Sequence, residues 1–64
     1  MKTITKLNQN QVTQMLQNYN LFNTVKTNSR KVKSDYYMYY NNADSILIIH
    51  KNYKHEFLGA TLHQ

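Results

Sequence analysis

His50, His55 and His63 are the side chains of this sequence best suited to move a proton near neutral pH. A metal-independent nuclease needs a base and an acid flanking a phosphate, with a cation to stabilise developing charge. His50 or His55, with Lys51, Lys54 and Glu56, supplies those residue types within one short stretch. Any basic chain with three histidines yields a similar set, so the histidines are read as surface or partly buried residues and the chain as a non-enzyme. Their spacing fits no standard ligand pattern, and there is no cysteine to supply a thiolate, so no metal site is expected. Three acidic residues are too few for two-metal carboxylate chemistry, and the single glycine, Gly59, cannot build a glycine-rich phosphate loop. No catalytic residue and no cofactor is expected.

Binding chemistry is better represented. Lys and Arg number 8 against 3 Asp and Glu, a formal charge of +5, which favours anionic partners. Lys26, Arg30, Lys31, Lys33, Lys51 and Lys54 are the residues expected to meet phosphates or an acidic partner, and counterion release would make that affinity fall steeply with salt. Tyr37, Tyr39 and Tyr53 are expected to offer aromatic faces, each worth about 1–3 kcal/mol if a base stacks on it. The same tyrosines suit a protein interface, where Tyr is frequent among energetically dominant residues.

The elements that must position these residues begin with a helix. Asn8 and Gln11 have the spacing of a capping box, and Leu7 and Val12 that of a hydrophobic staple. Val12, Met15, Leu16 and Tyr19 then form one apolar stripe at helical spacing, so a helix is expected from about residue 9 to 19. Asn20 is expected as a left-handed C-terminal residue, with Leu21 folding back on Leu16.

After Asn20 the apolar period changes to two. Strands are expected at 22–27, 31–40, 45–51 and 55–62, the last with a short helix as alternative. In the second, Tyr36, Met38 and Tyr40 should pack beneath the helix and Tyr37 and Tyr39 look outward. Ile46-Leu47-Ile48-Ile49 is apolar on both faces, as in a central strand, and register decides which pair faces inward.

The expected fold is α+β, one N-terminal helix packed on a three- to four-stranded antiparallel meander, in a single domain spanning residues 1–64. A meander places the turns after its first and third strands at one end, which would gather six of the eight basic residues on one rim, with Asp44 at the other end. It also leaves one sheet face partly bare, so a homodimer through that face or a free sheet edge is expected.

At 64 residues the hydrophobic core is small and there are no disulfides to supplement it. No apolar run approaches the length of a membrane span, the helix carries no Lys or Arg for a membrane surface, and the N-terminus lacks a signal-peptide apolar stretch. A soluble, cytoplasmic protein with no membrane partner is expected. The tripeptide Tyr53-Lys54-His55 resembles the bacterial Sm-like RNA chaperones, but the glycine-containing strand of that family has no counterpart here. In size and lack of catalytic motif the chain is similar in kind to phage-encoded inhibitors of bacterial defence, such as anti-CRISPR proteins.

Taken together these features describe a non-enzymatic binding module whose basic rim engages nucleic acid or a nucleic-acid-bound protein complex. The alternative is a small phage or mobile-element inhibitor that docks on a host protein through Tyr37, Tyr39 and an exposed sheet face or edge.

Overall fold

A computed structural model describes residues 3–28 and 34–64. Its order is β1 (Ile4–Leu7), α1 (Gln9–Met15), a 3-10 turn at Leu16–Asn18, β2 (Asn20–Asn28), β3 (Ser34–Asn41), β4 (Ile46–Lys51) and β5 (Phe57–His63). The strands form one antiparallel sheet in the order β1-β5-β4-β3-β2. The class is α+β as expected, with differences of detail. The meander has four strands, β2 to β5, and a fifth strand precedes the helix and pairs with β5. Four residues are too few to register as a period, and their partner lies at the other end of the sequence.

The helix starts as its sequence dictates. Asn8 Oδ1 accepts from the Gln11 backbone N–H at 2.9 Å, and Gln11 Oε1 accepts from the Asn8 N–H at 2.9 Å, which satisfies two otherwise unpaired donors. Seven residues make a helix too short to persist alone, so burial of Val12 holds it. It ends earlier than the apolar stripe implies. Regular α-helix stops at Met15, the 3-10 turn follows, and Tyr19 is already extended (φ −127°, ψ 151°). Tyr19 in that position bonds through its hydroxyl to Ser45, a buried polar side chain. Asn20 is the first residue of β2, not a left-handed cap, and Leu21 is half exposed rather than folded back on Leu16.

Because β1 and β2 are the two edges, the helix and 3-10 turn between them cross one sheet face. On that side Val12, Leu47, Ile49, Ala60 and Leu62 are buried, with Leu7, Met15, Leu16, Tyr19, Met38, Tyr40 and Phe57 packed around them. Leu47 and Ile49 are the fully enclosed side chains, each stabilising the fold by about 1.5–3 kcal/mol through burial. Register is thereby settled: Leu47 and Ile49 face the helix, while Ile46 and Ile48 face away.

Two asparagines organise the turns. Asn42 Oδ1 accepts from the backbone N–H groups of Asp44 and Ser45 and from the Ser45 hydroxyl. Asn52 Oδ1 accepts from the N–H groups of Lys54 and Glu56, and its Nδ2 donates to the Glu56 carboxylate. Such side-chain bonds mimic a backbone turn and are the reason Asn favours these positions.

Candidate functional site

The antiparallel register places the β2–β3 and β4–β5 connections at one end of the sheet and the β3–β4 turn, which carries Asp44, at the other. Lys26 is paired with Tyr36, and Tyr36 with Lys51. These three residues form one row across three adjacent strands, so with strands about 4.8 Å apart the two lysine Cα atoms stand roughly 10 Å from each other. Lys54 lies in the β4–β5 turn at the same end, its Nζ 5.7 Å from the centre of the Tyr53 ring. Arg30, Lys31 and Lys33 lie outside the described residues.

The row faces the helix side, because Tyr36 alternates in phase with Met38 and Tyr40, and Lys51 with Leu47 and Ile49. Tyr36 nevertheless does not pack beneath the helix as the sequence implied. Its ring stacks on His55, with centroids 5.1 Å apart and planes 14° from parallel. His55 has φ 64°, left-handed and the only such non-glycine among the described residues. The Asn52 network holds it there: the His55 N–H donates to the Asn52 carbonyl at 2.9 Å, and the Asn52 N–H to the Glu56 carbonyl at 3.1 Å. Two carboxylates share this end. Glu56 is engaged with Asn52, and Asp35 projects to the opposite face, where it meets His50.

Tyr37 and Tyr39 therefore sit across the sheet from Lys26 and Lys51, and no single face combines all four. The face they occupy has no covering element among the described residues. Ile48 stands at its centre, on the middle strand, in a row that reads Lys6, Thr61, Ile48, Tyr39, Asn23 from edge to edge. The row toward the Asp44 end reads Ile4, His63, Ile46, Asn41, Asn20. Two bulges each add a residue to this face. Phe22 has no partner between Leu21 and Asn23 and meets Tyr39 edge-on at 6.2 Å; Leu58 has none between Phe57 and Gly59. Ile4, Phe22, Val25, Ile46 and Leu58 are 40–64% exposed here. Two shallow hollows flank Ile48, one of about 340 Å³ reaching Leu58, Gly59 and His50, the other of about 530 Å³ reaching Ile46, Asn41 and His63.

The histidines go to three places. His50 lies on the bare face, His55 on the helix side, and His63 on the bare face toward the Asp44 end, with its Nε2 3.0 Å from Thr61 Oγ1. No group of three metal-ligating side chains converges among the described residues, and no helix is long and apolar enough to cross a membrane.

Sequence reasoning overlooked the Lys26–Tyr36–Lys51 row, since only register aligns residues from three strands. It also overlooked Phe22 and Leu58, whose placement depends on bulges with no distinctive residue type. No family profile matches the chain, and neither a curated protein nor a solved structure is significantly similar to it.

Proposed function

We propose that this protein is a non-enzymatic binding module whose basic end engages nucleic acid, or a protein complex that carries it. The observation in favour is the Lys26–Tyr36–Lys51 row: the register sets a lysine on each side of a tyrosine that already stacks on the His55 ring, residue types suited to phosphates and an aromatic base. Lys54 and Tyr53 in the adjoining turn extend it, and Arg30, Lys31 and Lys33 fall between β2 and β3 in the sequence. Tyr36 takes the part expected of Tyr37 and Tyr39, which face elsewhere. A cytoplasmic setting is where such a partner would be met.

Fluorescence anisotropy with single-stranded DNA and RNA oligonucleotides tests this. Binding should weaken steadily with salt, and the double change Lys26→Glu, Lys51→Glu should reduce affinity at least about tenfold and flatten the salt slope by about two phosphate contacts. Unchanged affinity in that variant, and in a Lys31→Glu, Lys33→Glu variant, would end the proposal.

A second reading is a phage or mobile-element inhibitor docking on a host protein through Tyr37 and Tyr39. What favours it is the apolar character of the face on which both lie. Recovery of a host protein by wild type but not by Tyr37→Ala, Tyr39→Ala is its test.

A further inference from the structure

We infer that the bare sheet face is where two copies of this chain pack together, face to face about a two-fold axis near Ile48. The inference is independent of the nucleic-acid reading, since Lys26 and Lys51 lie on the other side of the sheet.

Three observations select a second copy over other occupants. The first is charge. The chain carries +5 overall, yet Lys6 is the one Lys or Arg that this face holds among the described residues, beside Asp35, which is bonded to His50, and Asp44 at the rim of one hollow. An anionic partner would find no cluster of cations here. A second basic chain would meet a surface on which the mutual repulsion is least.

The second is shape. Ile48 stands between two hollows, so a half-turn about an axis beside it places each copy's isoleucine against a hollow of the other. A side chain that divides two hollows can be met by its own copy after a half-turn, which is the requirement of a two-fold interface. Gly59 contributes to this. It sits in a strand, at ordinary φ, and a Cβ added there would meet nothing within 4 Å. Gly59 directly follows the Leu58 bulge, beside which a strand glycine is common, and its missing side chain leaves this hollow open to close approach from outside.

The third is area. Five strands about 4.8 Å apart and about six residues long present a face of roughly 500 Å². Two such faces together remove about 1,000 Å² from water before side-chain corrugation is added, the size at which specific interfaces begin. Among the described residues five apolar side chains are buried, so the monomer stands to gain from a second apolar layer.

Sedimentation equilibrium and native mass spectrometry across micromolar concentrations test the inference. The expected result is a species of twice 7.7 kDa that dissociates on dilution, and a thermal midpoint that rises with protein concentration. Ile48→Lys and Gly59→Phe should each give a monomer with unchanged far-ultraviolet circular dichroism. Gly59→Phe decides the matter if Ile48→Lys fails to fold, because its backbone and Cβ are accommodated and only the hollow is filled. Lys26→Glu should leave the dimer intact. A wild-type protein that remains monomeric throughout, including one that captures a different protein by this face, overturns the inference. So does a dimer that survives both Ile48→Lys and Gly59→Phe.

Discussion

The imidazole of His50 lies flat against the ring of Tyr37, its partner across β3 and β4, with centroids 4.3 Å apart and planes 5° from parallel. Its Nε2 is also 3.0 Å from the Asp35 carboxylate, so one side chain joins a ring contact to a polar one. Together they fix the orientation of three side chains on the bare face.

His50→Ala removes both contacts. Ring pairs contribute about 0.5–1.5 kcal/mol and a hydrogen bond to a charged group about 1.5–3 kcal/mol. His50 and Asp35 side chains are 30% and 43% exposed, so solvent places the polar part well below that range. The expected loss is about 1–2 kcal/mol. His50→Phe should recover about half by keeping the ring contact. Urea unfolding at one fixed protein concentration measures both, and equal losses would show that the stacking contributes nothing.

Asn42 and Asn52 predict an ordered pair of effects. Asn42→Ala strips an acceptor from two backbone N–H groups and from Ser45, which is 8% exposed and itself bonded to Tyr19. Its cost should be about 2–3 kcal/mol, since the two Ser45 donors, shielded from water more than the Asp44 N–H, are left unpaired. Asn52 serves exposed groups, and its replacement should cost about 1 kcal/mol. In a domain this small that separates the two melting temperatures by roughly 5–10 °C, and the reverse order would contradict the burial argument.

His55 occupies left-handed backbone space, which costs a non-glycine residue about 1 kcal/mol. His55→Gly relieves that cost while losing the stack on Tyr36, and should leave stability within about 0.5 kcal/mol of wild type. His55→Val keeps the strain, adds a branched Cβ and loses the stack, so a loss above about 1 kcal/mol is expected. Thermal unfolding of the two variants side by side decides; equal midpoints would mean the conformation is not strained.

Leu47 is fully enclosed. Leu47→Ala should cost about 2–5 kcal/mol, enough to leave a domain of this size largely unfolded at 37 °C. Ile48→Ala, one residue along on the other face, should cost much less in the isolated monomer. Circular dichroism of both variants under monomeric conditions checks the difference.

Local features were legible in the sequence wherever neighbours in the chain determine them. Asn8 and Gln11 announce their own cap, the alternation of Met38 and Tyr40 against Tyr37 and Tyr39 assigns them to opposite faces, and the doubly apolar run at 46–49 announces a middle strand. What escaped depends on residues far apart. Ile4–Leu7 offers no strand signal of its own until β5 lies beside it, and Tyr36 reads as core until the β4–β5 turn brings His55 over its ring. The helix end was misplaced because Tyr19 packs on the core from extended backbone, where its hydroxyl also meets Ser45. Of the basic residues expected on one rim, Lys26 and Lys51 share a row and Lys54 lies in the adjoining turn, while Arg30, Lys31 and Lys33 lie outside the described residues; strand order alone does not say on which face a side chain stands.

The position of β1 has a consequence for synthesis. Of the five strands this one is made first, yet it pairs with β5, made last of the five, and the register is tied off by reciprocal bonds between Thr3 and Gln64. The nascent chain can assemble the β2–β3–β4 ribbon early, but one edge of β4 must wait, and Leu7 lacks its strand partner Ala60. Acquisition of the native state is therefore postponed to the final strand, and a chain interrupted before Phe57 forfeits two strands rather than one.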